Sequence, residues 1–164
     1  MAEERVRTMA DGRGWHDAET GLFGPRAWDA IVGTESARCA RYHRTATIVV
    51  VDLVGFGELE SVWGADVAPR EVTAIGSVVR SSARLSDYVA RLGPRRFAIL
   101  LPETDEIAAV NFVERIRQRC TEAARQAAAG ARCAFGWADA TKERTLLEAA
   151  DLAVDRLSTD AEPD

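Results

Sequence analysis

Asp52 closes the apolar run Ala46–Asp52 (ATIVVVD). A carboxylate at the end of such a run must meet a cation, either a basic side chain or a metal. Two guanidinium groups stand in the segment Gly93-Pro94-Arg95-Arg96, and we read Asp52 as a partner of Arg95 or Arg96 in preference to a metal ligand. The Pro-Arg-Arg stretch itself has two readings. It offers two planar forks to an anion or an acidic partner, or it is a solvated turn. A further basic and acidic pair stands upstream in Arg84-Leu85-Ser86-Asp87, where Arg84 could close a helix favourably and Asp87 could cap the chain as it enters a strand. Cys39, Cys120 and Cys133 are widely spaced and odd in number, with only His16 and His43 for company, so they predict small apolar fillers and neither a zinc site nor a disulfide framework.

These groups must be positioned by regular elements. Ala46–Asp52 is a continuous β-branched run, the pattern of a strand buried on both faces. Pro25 to about Tyr42 has helical composition, with Pro25 near the first turn where its missing N–H costs nothing. Residues 66–83 bring Val67, Val72, Ile75, Val78 and Val79 roughly onto one helical face. Strands are predicted at Asp87–Leu92 and Phe97–Leu101, joined as a hairpin. A long amphipathic helix follows over Glu106–Ala127, then a strand over Ala131–Ala138 broken at Gly136, then a helix over Leu146–Leu157 capped near Thr145. Trp28, Trp63, Trp137 and Phe112 read as core or interface anchors.

The chain has 164 residues, 47% hydrophobic and 29% charged, which is the composition of one globular domain. Its net charge of −5 argues against a dedicated nucleic-acid binder. No apolar run approaches the roughly 18 to 20 residues that span a bilayer, and the first residues lack the apolar core of a signal peptide, so a soluble, cytoplasmic protein without membrane contact is expected. Residues 1–16 read as a polar leader or linker, 17–157 as the domain, and 158–164 as a frayed acidic tail.

Several phrases, in order and spacing, resemble the GGDEF domain of diguanylate cyclases. Asp17-Ala-Glu-Thr-Gly-Leu-Phe-Gly-Pro-Arg is similar to that family's opening D-x-L-T-G-L-x-N-R-R, and Asp52-Leu53-Val54-Gly55-Phe56 to its D-I-D-x-F. Arg91-Leu92-Gly93-Pro94-Arg95-Arg96-Phe97 stands where R-Y-G-G-D-E-F belongs. Leu101-Pro102-Glu103-Thr104, Val113-Glu114-Arg115-Ile116-Arg117, Ala134-Phe135-Gly136-Trp137-Ala138 and Ala150-Asp151-Leu152-Ala153 resemble the later L-P-x-T, A-E-R-I-R, S-I-G-V-A and A-D-x-A. The resemblance covers nearly the whole chain. It implies an α+β fold of the nucleotidyl cyclase palm type, with a mixed, mostly antiparallel sheet of about five strands and helices packed around it.

Family members join two GTP molecules into cyclic di-GMP, with Mg²⁺ held by the first Asp of D-I-D and by the acidic third position of the signature. The resemblance makes Asp52 a vestigial metal position and Gly93, Pro94, Arg95, Arg96 and Phe97 a degenerate signature. Arg95 would set a cation where the metal needs an oxygen, and two unit charges about 4 Å apart interact by several kcal/mol at moderate dielectric. Pro94 removes an N–H and the freedom of the second glycine. Val54 replaces the second Asp of D-I-D, Glu60 and Pro69 replace the guanine-reading Asn and Asp, and Ser158 replaces a late lysine. No catalytic residue and no bound metal are therefore expected.

Another motif is retained. Arg84-x-x-Asp87 ends five residues before Gly93, as does the family's inhibitory site for cyclic di-GMP, and Arg115 matches a second arginine of that site. The ligand carries two phosphates and two guanines, and arginine can both pair with phosphate and stack on a base. The resemblance thus predicts a catalytically inactive domain that binds cyclic di-GMP through Arg84, Asp87 and Arg115. The rival expectation is a pseudoenzyme that serves as a homodimer or protein-interaction surface and binds no nucleotide.

Overall fold

The computed structural model describes residues 14–55, 67–127 and 132–161. The elements run in the order α1 (Pro25–Tyr42), β1 (Ala46–Val54), α2 (Val67–Ser82), β2 (Tyr88–Arg91), β3 (Arg96–Pro102), α3 (Glu106–Ala127), β4 (Arg132–Asp139) and α4 (Leu146–Ala161). The predicted order of helices and strands holds throughout. The readings placed on Glu60 and Trp63 lie outside the described residues.

Strand β1 is central because its sequence is apolar on both faces. Val49, Val51 and Leu53 point into one core with Val72, Ile75 and Phe112, between the sheet and helices α2 and α3. Ala46, Ile48 and Val50 point into the other, with Trp28, Leu146 and Ala153 of helices α1 and α4. Successive side chains of a strand alternate in direction, so one β-branched run supplies two cores. Its two edges pair with β3 and β4, and β2 completes the order β2-β3-β1-β4. Every pairing between these strands is antiparallel, with an isolated parallel bridge from Phe23 to Ala90, and the described residues hold four strands, where a mixed, mostly antiparallel sheet of about five was expected.

Strand β4 is continuous across Gly136, contrary to the expected break. The glycine serves a close approach instead. A Cβ there would fall 2.0 Å from the Ala153 carbonyl oxygen and 2.8 Å from the Leu157 nitrogen, so α4 rests directly on strand backbone. Thr145 begins that helix with a reciprocal cap: its Oγ1 accepts from the Glu148 N–H at 3.2 Å, and its own N–H donates to Glu148 Oε2 at 2.7 Å.

Helix α4 also runs on to Ala161, where a frayed tail from Ser158 was expected. Its last turns have work at the edge of the sheet. Asp160 Oδ2 accepts the outward Phe135 N–H at 2.7 Å, and Arg156 Nη1 donates to the Trp137 carbonyl at 2.6 Å. Arg117 of α3 holds Asp160 at 2.9 Å and lies 4.7 Å from the centre of the Phe135 ring. An edge strand presents unpaired backbone groups, and these side chains occupy two of them. At the other end, the domain begins before residue 17: the Gly24 N–H donates to the Trp15 carbonyl at 2.8 Å, and His16 bridges to Phe23.

One buried group works against the core. Glu71, on α2, is 1% exposed, and neither carboxylate oxygen has a hydrogen-bond partner among the described residues. Burial pushes its carboxyl above the usual carboxylate range. An unfolded chain ionises this group near pH 4.3, whereas the folded one retains the proton to higher pH. Stability therefore falls as pH rises through that window and stays lower above it. Glu71→Leu should remove this slope, leaving stability near pH 4 almost unchanged and raising it at pH 7 by about 1–2 kcal/mol. Urea midpoints at several pH values read the difference, and parallel pH profiles for the two proteins would contradict it. Gly136→Ala should cost about 2–3 kcal/mol, because the methyl group meets backbone that cannot rotate away. A melting temperature within about 2 °C of the parent's would show that α4 does not depend on that contact.

Candidate functional site

The C-terminal end of β1 faces the turn between β2 and β3. Pairing sets Asp52 opposite Arg96, and the arginine closes a two-pronged fork on the carboxylate: Nε to Oδ1 and Nη2 to Oδ2, each 2.7 Å. Of the two partners the sequence allowed, the ladder chooses Arg96. The carboxylate holds the guanidinium pKa above its ordinary value, chiefly through these hydrogen bonds. Both oxygens that a divalent cation would need at Asp52 thus already face a permanent cation. The Arg95 side chain is exposed beside them, while its carbonyl accepts the Leu53 N–H at 2.9 Å and carries the ladder into the turn. Phe97 points the other way and is fully buried in the α2–α3 core.

Arg91 shapes the turn from below. Its Nε donates to the Gly93 carbonyl at 3.2 Å and its Nη2 to the Pro94 carbonyl at 3.0 Å. Its Nη1 reaches Asp17 at 3.2 Å and also pairs with Glu19. Asp17 in turn accepts from the Thr20 N–H at 2.8 Å and the Thr20 hydroxyl at 2.6 Å. Burial pushes the Asp17 carboxyl up, but the Thr20 bonds and Arg91 together outweigh it and hold the carboxyl below its ordinary value. Gly21, with φ of 72°, allows the chain to turn straight after Thr20. One arginine therefore ties the opening Asp-x-x-Thr-Gly phrase to the signature turn 74 residues away. Sequence reasoning quoted both phrases and missed the contact between them.

Arg84 and Asp87 follow the end of α2. The Asp87 carboxylate accepts the Arg84 N–H at 2.7 Å, and the Asp87 N–H donates to the Arg84 carbonyl at 3.1 Å, so the acid caps its own loop. Both residues line an open cleft of about 450 Å³, whose other walls include His16, Phe23, Arg80 and Leu85. The Arg84 guanidinium is exposed and has no partner among the described residues. Arg115 is not among the residues lining this cleft. It lies exposed on α3, its guanidinium 5.4 Å from the centre of the Phe112 ring. The α3 arginine that does reach the end of α2 is Arg119, one turn further on, bonded to Ser82 at 2.6 Å and Ser81 at 2.9 Å. Residues 115 and 119 share a face of α3, and it is Arg119 that the packing of α2 brings to its end.

The cysteines are all free thiols, with Cys39 and Cys120 buried. Cys133 of β4 meets Cys120 of α3, and that hydrogen bond together with burial pushes the Cys133 thiol up, far from thiolate formation at neutral pH. The spacing of these two in sequence gave no hint of the contact. Among the described residues no group of three His, Cys, Asp or Glu side chains is disposed to hold a metal ion, and no helix is long and apolar enough to cross a membrane.

These features belong to a recognisable frame. The chain is 28% identical over 102 residues to the probable diguanylate cyclase DgcC of Escherichia coli, covering 62% of this chain and 28% of that protein. It is 29% identical over 114 residues to the diguanylate cyclase DosC of the same species, covering 70% of this chain and 25% of the relative. The chain thus spans about a quarter of the length of these curated relatives. Among solved structures, its fold matches the coiled coil and GGDEF domain of DgcB from Caulobacter crescentus in complex with c-di-GMP, with a TM-score of 0.81 at 19% identity over 96% of this chain and 87% of that one. It also matches the FimX GGDEF domain of Pseudomonas aeruginosa, with a TM-score of 0.79 at 16% identity over 90% of this chain and 93% of the other. The profile described as "Diguanylate cyclase, GGDEF domain" matches residues 14–160, and on that match this chain belongs to the GGDEF domain family.

Proposed function

We propose that this domain recognises cyclic di-GMP and does not make it. The observation that carries the reading is the contrast between two sites on one hairpin. At the turn, Arg96 clamps Asp52 and Arg95 stands in the acidic third position of the signature. At the strand's other approach, Arg84 borders an open cleft with its guanidinium uncommitted among the described residues. A metal ion beside Asp52 would first have to displace a bidentate guanidinium. At an effective dielectric of 20 and a separation of 4 Å, each unit of like charge costs about 4 kcal/mol, and the metal carries two. The donor set around Asp52 does not suit catalytic Mg²⁺.

The cleft suits the product of the family better than its substrate. Arg84 supplies a planar fork for a phosphodiester oxygen or the guanine edge, and Asp87 supplies a carboxylate for guanine N–H groups. Asp87 already spends one oxygen on the Arg84 N–H, which orients the carboxylate and leaves the other as acceptor. Arg115 would join only from outside the cleft, from the exposed face of α3. That the related DgcB domain was solved with c-di-GMP supports the ligand class.

Exposed apolar side chains favour a second reading as a protein-interaction domain. Ile107 is 83% and Val110 is 40% exposed, one turn apart on α3. A related cyclase, SiaD, was solved with its activator protein SiaC.

Calorimetric titration with cyclic di-GMP separates the two. The parent should give saturable heat at tens of micromolar ligand, and Arg84→Ala should weaken binding about 10- to 100-fold, the scale of a lost hydrogen bond to a charged group. No heat, or heat indifferent to Arg84→Ala, overturns the receptor reading and leaves the interaction surface. Incubation with GTP and Mg²⁺ or Mn²⁺, followed by chromatography, should yield no cyclic di-GMP. Product formed in proportion to protein would show that the turn still supports synthesis.

A further inference from the structure

The cleft beside Arg84 holds more recognition chemistry than the four residues Arg84–Asp87 provide. Arg80 lies on its wall, in the last turn of α2 and one helical turn before Arg84. Its side chain is exposed and, like that of Arg84, has no acceptor among the described residues. Several other arginines of this acidic surface are paired: Arg38 and Arg44 with Glu103, Arg91 with Asp17, Arg156 with Glu106. Two uncommitted guanidiniums on one concavity form a fork for a group carrying more negative charge than a carboxylate.

The helix end sets a cost that the basic lining must offset. The C-terminus of α2 presents carbonyl oxygens and the negative pole of the helix dipole, which repels an anion. One arginine already outweighs the roughly half-unit negative charge of that pole, and a second adds net attraction for a phosphate. Arg80 holds its place because helical backbone fixes its Cα, while Arg84 is fixed by the Asp87 cap.

Part of the lining is aromatic. His16 and Phe23 stack with ring centres 5.2 Å apart and planes within 25°. Phe23 is not a floating ring: its N–H donates to the Val89 carbonyl at 3.2 Å, and its carbonyl accepts from the Arg91 N–H at 2.8 Å, making it an outrigger of β2. The imidazole lies over this support and is exposed. A flat ring on a rigid base is a stacking platform for a nucleobase, and stacking of that kind discriminates weakly among bases but adds substantially to affinity.

We propose that Arg80 is the second phosphate-binding arginine of this site and that the His16–Phe23 pair is its base-stacking platform. One guanosine phosphate unit spans the cleft, its phosphodiester between Arg80 and Arg84 and its guanine against the imidazole. The proposal rests on reading the cleft as the cyclic di-GMP site, and it adds Arg80 to the arginines that the family resemblance assigns to that site.

Titration of cyclic di-GMP into the parent, Arg84→Ala, Arg80→Met, Arg115→Met and His16→Ala tests it, with melting curves confirming that each variant is folded. Methionine keeps helix propensity and an apolar stem while removing the fork. Arg80→Met should weaken binding about tenfold or more, His16→Ala about fivefold or more, and Arg115→Met less than Arg80→Met does, since Arg115 does not line the cleft. If the parent binds and Arg84→Ala weakens it, but Arg80→Met stays within twofold, the assignment of Arg80 is wrong while the receptor reading stands. A His16→Ala variant equal to the parent removes the stacking platform in the same way. A parent that does not bind overturns the receptor reading itself, and the inference with it.

Discussion

Strand β1 is apolar on both faces and paired on both edges, and that double burial places everything else. A strand with β-branched side chains alternating into two cores cannot slip by one residue without exchanging the cores, so its register against β3 and β4 is strongly held. Register then decides the chemistry at its open end. Because Thr47 lies opposite Leu101 and each later residue follows in step, Asp52 arrives opposite Arg96 and no other residue. The ion pair is a consequence of the ladder, and the ladder is a consequence of hydrophobic burial.

The charges around the signature turn follow from this geometry. An acidic fourth position would stand beside Asp52 as a second carboxylate, and two carboxylates at that separation call for a cation from solution. With arginine there, the pair is neutral and half-screened by water, since the two side chains are 38% and 26% exposed. Such a pair adds little to stability, on the order of 1 kcal/mol or less. Its significance is electrostatic: the Arg96 guanidinium neutralises the Asp52 carboxylate at the open end of the strand. Arg91, below the turn, holds the loop by its own carbonyls and by Asp17.

The far end of β2 has the opposite character. Its loop is self-capped through Asp87, its guanidiniums point outward, and its aromatic wall is carried by a segment that precedes α1. Asp87 shows how one carboxylate can fix a loop and still face an open cleft. The bond to the Arg84 N–H fixes the loop, and the same bond orients the remaining oxygen. Glu71 shows the contrary case, a carboxylate buried on α2 with no group among the described residues to satisfy it.

What the amino-acid sequence determined by itself was periodic or contiguous. The apolar run of β1, the amphipathic period of α3, the hairpin around Gly93-Pro94 and the cap at Thr145 are all local patterns, and each formed an element of the expected type. Ends and distant contacts were decided only in three dimensions. Helix α4 passes Leu157 because Asp160 and Arg156 find bare backbone on the edge strand, and Gly136 stays in that strand because α4 presses on it. The pairing of Arg91 with Asp17, the meeting of Cys120 with Cys133, and the presence of Arg80 rather than Arg115 on the cleft arise in the same way. Each joins residues brought close by packing between elements, and a helical or strand period within one segment carries no information about which of its faces a distant segment will meet.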